Sequence, residues 1–285
     1  MKDIEIILIN DFSSDTTINI LKELTKNDQR IKIINNTKRM GTLYTRSIGI
    51  LEAKGKYITF VDSDDMFCDN DIFDTIYEET EEEYYDIISF QAFQYYNNRY
   101  IIHYMTHKDK NFIGFQPKLG IYPFNESFPT HINNALIWGK MIRTDVCKAA
   151  VNYLGKERYS NYILWSEDTS LLFVIFNVAQ SYKYIKKYGI YHYSSGKSPN
   201  SSQSKEQKMF GEVFNLDILF DLSKNEYKKY VIHKLLPMKT WGHYTLNNKN
   251  ITKYFKSVIK KIMNCDYIGE DYKNKIRENY KDLIS

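Results

Sequence analysis

Residues 57–65 read Tyr57-Ile58-Thr59-Phe60-Val61-Asp62-Ser63-Asp64-Asp65. The β-branched and aromatic run from Tyr57 to Val61 predicts a strand. Three carboxylates then crowd into four positions. Charges so close repel one another unless a cation or a donor network sits among them. In open α/β sheets, ligands bind where the strands end. A strand stopping at Asp62, Asp64 and Asp65 therefore marks a place for a divalent cation carrying a phosphorylated ligand. The same residues would also serve as caps in an Asp-rich helix start.

Upstream, Glu5 to Ile9 predicts a strand ending at Asn10-Asp11. Thr16 to Thr25 carries Ile18, Leu21 and Leu24 at helical spacing. Ile31 to Ile34 predicts a second strand, and Gly41 to Ala53 a second helix stopped by Gly55. Downstream, a helix is expected over Asp69 to Glu83 and a strand over Asp86 to Phe93. The first hundred residues thus alternate strand and helix, which predicts an α/β fold with a mostly parallel sheet and flanking helices. Residues 95–130, with Pro117, Pro123 and Pro129, predict an irregular insert holding a short strand or two. Asn134 to Arg143 predicts a strand and turn, Thr144 to Val151 and Trp165 to Ala179 helices, and Tyr184 to Tyr193 a strand. Residues 194–206 predict a polar loop. The chain from Lys208 onward predicts a helical C-terminal region. The expected division is 1–205, with halves 1–94 and 95–205, followed by 206–285.

The chain has 285 residues, 43% of them hydrophobic, enough for a sizeable core. With 39 basic against 35 acidic side chains it carries no nucleic-acid footprint. Cys68, Cys147 and Cys265 are widely spaced, which suggests a reducing compartment and no zinc site. No signal peptide and no apolar run long enough to span a bilayer is visible. The expected location is cytoplasmic or peripheral to a membrane.

Several other residues carry candidate chemistry. Asp11 and Ser13 open the first helix, where a ligand's anion or nucleobase could be met, or where they simply cap it. Arg46 sits on the second helix and can pair with a carboxylate of the 62–65 segment, reach a ribose, or form an exposed ion pair. Asp64 is the candidate ligand for Mg²⁺ or Mn²⁺, with Asp62 on the ribose or a metal-bound water and Ser63 beside them. Glu167-Asp168 begins a helix, where acidic residues favour the dipole. The alternative is a general base taking a proton from a hydroxyl. His192 follows a strand and is either structural or a third metal ligand. Lys197 lies in the polar loop, either solvated or against a diphosphate.

These features occur in one order. Glu5 to Thr16, Gly41 to Gly49, and Ala53 to Asp65 resemble the donor-side segments of family-two glycosyltransferases of GT-A fold. Ile137-Trp138-Gly139-Lys140-Met141-Ile142-Arg143 and Trp165-Ser166-Glu167-Asp168 resemble that family's acceptor-side segment and ED motif. The resemblance covers roughly residues 3–203. It implies a GT-A, Rossmann-like fold and metal-dependent transfer of a sugar, with inversion, from a nucleotide-diphosphate donor such as a UDP-sugar. The acceptor would be a hydroxyl of a glycan, protein or lipid-linked molecule. By carry-over Asp11 contacts the nucleobase, Asp62 the ribose and Asp64 the metal, and Lys140 lies with the donor residues. Asp168 would be the base, with Glu167 beside it. Self-association stays open.

Three positions depart from the family pattern. Its opening strand is absent, which should leave a strand edge exposed. Phe12 stands where glycine is usual. The loop after the last strand lacks a clean match to the family's histidine. A glycosyltransferase-like binding protein without turnover is the second expectation.

Overall fold

The structure, a computed structural model, describes residues 4–68, 71–81, 84–96, 99–103, 136–194, 205–223, 225, 228 and 248–281. The apolar segment near the start forms strand β1 (Ile6–Asn10), which pairs in parallel with β2 (Ile31–Asn35), Ile6 opposite Ile31 and Asn10 opposite Asn35. Helix α1 (Thr17–Asn27) crosses between them and leaves Ile20 and Leu24 exposed. Helix α2 (Thr42–Glu52) buries Leu43, Ser47 and Ile50, which share one face at spacings of four and three. Gly41 starts it at φ +85, and a Cβ there would lie 2.8 Å from the Ile163 carbonyl oxygen, so the entry to α2 admits only glycine.

The remaining strands form a second, six-stranded sheet. They are β3 (Tyr57–Thr59), β4 (Met66–Phe67), β5 (Ile87–Tyr96), β6 (Arg99–His103), β7 (Lys140–Arg143) and β8 (Tyr182–Ser194). The order is β3-β7-β5-β8-β4, with β6 on β5. Between them run α3 (Ile72–Glu81), α4 (Thr144–Leu154), α5 (Lys156–Tyr159) and α6 (Glu167–Val178).

The α/β alternation is as expected. The strand directions correct the sequence-based picture. Only β1–β2 and β5–β8 are parallel, while β3–β7, β5–β7, β5–β6 and β4–β8 are antiparallel. The cause is β7. It returns after the insert and slots between β3 and β5, running against both, so two strands that would have been parallel neighbours are separated. The β1–β2 pair shares no ladder with the larger sheet. Among the described residues, one edge of β1 and one of β3 pair with no strand. The insert beyond residue 103 and the loop holding Lys197 lie outside the described residues.

Helices α7 (Lys205–Leu222), α8 (Lys249–Met263) and α9 (Glu270–Asn279) follow. Along β5, Ile87 joins one apolar cluster and Ile88, Phe90 and Ala92 the other, as period-two alternation demands. The larger cluster runs from Leu43 on α2 through Phe173 on α6 to Phe220 on α7, Phe255 on α8 and Tyr280. Each such side chain contributes roughly 1.5–3 kcal/mol on full burial. The C-terminal helices are thus continuous with the core that holds α6.

Candidate active site

The first turn of the site is built at the end of β1. Asn10 Nδ2 donates to Asn35 Oδ1 at 3.1 Å, and Asn10 Oδ1 accepts from the Ser13 amide at 3.1 Å. Asp11 is engaged by its own chain. It accepts from Asn36 Nδ2 at 2.8 Å, from the Met40 amide at 2.8 Å and from the Gly41 amide at 2.9 Å. Loop amides need partners, and Asp11 supplies them between β2 and α2. In this arrangement it braces the loop. Phe12 sits at φ +59, a conformation costly for a side chain with Cβ, and its ring is 53% exposed. Ser13 is exposed beside it.

The second part is the turn after β3. The strand ends at Thr59, and Asp65 N donates to Asp62 O at 3.0 Å, closing a tight turn. The turn sends its carboxylates in different directions. Asp62 meets Arg46. Ser63 and Asp64 are exposed, and Asp64 has no protein partner among the described residues. Asp65 is buried, both oxygens 3.0 Å from His192 Nδ1, and Oδ1 also accepts from the Tyr193 amide at 3.0 Å. The His192 ring stacks on Trp138 with centroids 5.0 Å apart. The hydrogen bond to Asp65 raises the His192 pKa above its ordinary value, against the opposing effect of burial. Asp65, which the sequence reading grouped with the cation-facing carboxylates, and Trp138, which it did not single out, fix the ring so that Nε2 is the nitrogen left for a ligand.

Arg46 ties these parts together. On α2 its side chain is 9% exposed. Nη2 donates to Asp62 at 2.7 Å; Nη1 donates to Glu167 at 3.0 Å and to Asp168. The second oxygen of Asp168 accepts from the Ile137 amide at 3.3 Å. Burial works against the guanidinium's charge, yet Asp168, Asp62 and Glu167 raise its pKa overall. Burial pushes the Glu167 carboxyl up to about 7, helped by repulsion from Asp168 and opposed by Arg46. Burial also raises Asp168, with Arg46 opposing. Lys140 is fully buried. It donates to the Leu136 carbonyl at 2.5 Å, and burial pulls its pKa down to about 8 although Asp168 favours its charge.

The start of α6 is held from behind. Ser166 is in the left-handed region at φ 62. Asn215 of α7 donates to Ser166 Oγ at 3.3 Å and accepts from Ser170 Oγ at 2.9 Å, while Trp165 Nε1 donates to Glu212 at 2.9 Å. A Cβ on Gly211 would come 2.3 Å from the Trp165 carbonyl oxygen, so α7 packs directly on this turn. Such a conformation persists where surrounding contacts over-determine it.

Among the described residues no group of three or more His, Cys, Asp or Glu side chains is placed to hold a metal ion. Exposed Asp64, and the Asp62 oxygen that Arg46 does not take, remain as separate hard oxygen donors. That number suits Mg²⁺ or Mn²⁺, which take one or two carboxylates and complete their shell with substrate phosphates and water.

Residues 1–149 match the model of Glycosyl transferase family 2. Over 94 residues the chain is 34% identical to glycosyltransferase GlyG of Streptococcus pneumoniae, covering 33% of this chain and 31% of that protein. Over 69 residues it is 43% identical to an uncharacterized glycosyltransferase of Haemophilus influenzae, covering 24% and 28%. The matched segments thus span about a third or less of these curated relatives. In structure it superposes on residues 1–349 of S. aureus TarS in complex with UDP-GlcNAc, with a TM-score of 0.64 and 16% identity, covering 98% of this chain and 81% of that one.

Proposed function

Because the chain belongs to glycosyltransferase family 2, we propose that it transfers a sugar from a nucleotide-diphosphate donor to an acceptor hydroxyl, with inversion and with Asp168 as general base. One observation carries this. A single buried guanidinium, Arg46, bridges Asp62 at the end of β3 and Asp168 at the start of α6, so donor-side and acceptor-side carboxylates share one site. The TarS structures with UDP-GlcNAc and with UDP support a uridine nucleotide as the donor's carrier.

In this chemistry the acceptor oxygen forms a bond to the anomeric carbon on the face opposite the diphosphate. The anomeric carbon–oxygen bond to the diphosphate breaks, and the nucleoside diphosphate leaves with that electron pair. The acceptor's proton passes to Asp168 as the new bond forms. Holding the two reactants in line supplies a large share of the acceleration. Asp64, with Asp62, would hold Mn²⁺ or Mg²⁺, which offsets charge on the departing diphosphate. Burial raises the Asp168 pKa and so favours a carboxyl that accepts a proton, while Arg46 opposes the rise. Glu167 and Lys140 set the charge around it.

A second reading, a glycan- or nucleotide-binding protein without turnover, is favoured by one specific feature. Both oxygens of Asp168 are occupied, one by Arg46 and one by the Ile137 amide. One of them must be released to an acceptor. The deciding experiment is calorimetry of UDP with Mn²⁺ and with EDTA, on the wild type and Asp64→Ala, followed by UDP-sugar hydrolysis with Asp168→Asn. Metal-dependent binding lost in Asp64→Ala, with hydrolysis lost in Asp168→Asn, supports the enzyme. Binding without hydrolysis supports the second reading, and no binding by the folded chain overturns both.

A further inference from the structure

The sequence of α8, Lys-Asn-Ile-Thr-Lys-Tyr-Phe-Lys-Ser-Val-Ile-Lys-Lys-Ile-Met, contains no acidic residue. Its apolar face, Ile251, Phe255, Val258, Ile259 and Ile262, is buried in the main core. The opposite face carries Lys249, Lys253, Lys256 and Lys260, all exposed. At about 100° per residue these four fall within roughly 60° of one another, and at about 1.5 Å per residue they form a row about 16 Å long. None has an acidic partner among the described residues. Lys261, one position away, turns aside to Asp217 and Asp221 of α7.

The fold does not account for this row. Like charges three and four residues apart on a helix destabilise it. Cations near a helix C-terminus favour the dipole, which explains Lys260, but Lys249 and Lys253 sit at the N-terminal end, where the dipole disfavours them. The chain as a whole is close to charge balance, so the row is a local segregation.

We propose that this face of α8 docks the protein on an anionic lipid surface. The chemistry fits a plane of negative headgroups better than a soluble polyanion. The row runs along one uninterrupted helix, and all four lysines are exposed. The side chains between and beside the lysines, Asn250, Thr252 and Ser257, are small and polar, with no aromatic or arginine platform for nucleic-acid bases. Tyr267, 58% exposed just past the end of α8, is the kind of side chain that settles at headgroup level. Since the apolar face is committed to the core, α8 lies on the surface without inserting, and attachment is electrostatic. No helix among the described residues is long and apolar enough to cross a membrane. Helix α8 packs on α7, and α7 on α6, so the docked face is two helices removed from Glu167 and Asp168.

The test is co-sedimentation of the whole chain with phosphatidylcholine vesicles, with and without phosphatidylglycerol, at low and high salt. It compares the wild type with a quadruple variant, Lys249→Gln, Lys253→Gln, Lys256→Gln and Lys260→Gln. A charge-matched control carries Lys22→Gln, Lys54→Gln, Lys156→Gln and Lys186→Gln. The expected result is binding only to anionic vesicles, lost at high salt, unchanged in the control, and weakened on the order of 10³-fold in the quadruple variant, at about 1 kcal/mol per lysine. Thermal melts verify folding; removing the repulsion should leave the variant at least as stable as the wild type. Equal binding to neutral vesicles, no binding to anionic ones, or equal loss in the control overturns the proposal. Row-dependent binding to soluble polyphosphate that displaces the protein from vesicles also overturns it, in favour of a polyanionic polymer. None of these outcomes depends on glycosyl transfer.

Discussion

Arg46, on the helix after β2, donates to Asp168, the second residue of α6, although 122 residues separate them. The same guanidinium holds Asp62 and Glu167, so three carboxylates depend on one buried cation. Breaking a buried pair by removing one partner leaves uncompensated charge and costs about 3–5 kcal/mol. Arg46→Met should therefore lower the urea unfolding free energy by about 3 kcal/mol or more at pH 8. The loss should shrink toward pH 5, where the abandoned carboxylates take up protons. A loss that is the same at both pH values would show that Arg46 acts through packing alone.

Glu167 supplies a pH dependence whose sign can be worked out. Its folded pKa, about 7, lies above its ordinary value of 4.5. Between those values the folded state binds more protons than the unfolded state, so stability from this group is complete below about 4.5 and falls as pH rises toward 7. Glu167→Gln removes the ionisation. Relative to wild type, it should become progressively more stable from pH 5 to pH 8. Parallel stability curves over that range would contradict the shift.

The strands and helices of the first hundred residues were legible because their apolar spacing is local, and the observed bounds differ by a few residues. Arg46 could be anticipated as a partner of the carboxylate turn. The antiparallel insertion of β7 could not, because it depends on which edge a distant segment reaches rather than on its own pattern. Asp11 looked like a ligand-facing residue. Its engagement follows from the amides of Met40 and Gly41, whose need for partners arises only once the loop is folded. Asn215 gave no signal, since an asparagine inside an apolar helix reads as a defect until its partners on α6 are known.

Phe12 sits where the backbone favours glycine. A non-glycine residue there costs about 1–2 kcal/mol, while glycine adds about 0.5–1 kcal/mol of unfolded-state entropy. Phe12→Gly should therefore be neutral to about 1 kcal/mol stabilising by urea titration, because the ring is half exposed and little burial is lost. A simultaneous fall in UDP affinity by calorimetry would show that the strain is retained for contact with the nucleotide. Unchanged affinity would make Phe12 a tolerated replacement, and a clear destabilisation would show that the ring supports the loop.

Asn215 tests whether the C-terminal helices belong to the catalytic machinery. It is buried, touches neither donor-side nor acceptor-side carboxylates, and bonds to Ser166 and Ser170 on the turn that presents Glu167 and Asp168. Asn215→Ala leaves the Ser170 hydroxyl buried without this partner, a cost of about 1–3 kcal/mol. It also frees Ser166 to relax from its left-handed conformation, which would move the carboxylates that follow. UDP affinity should be unchanged, because the donor turn at Asp62 to Asp65 is held by Arg46 and His192. Hydrolysis of a UDP-sugar should fall several-fold, as small misplacements of a catalytic group have large effects. Equal losses of affinity and turnover would indicate general unfolding, and full turnover in a destabilised variant would confine Asn215 to packing.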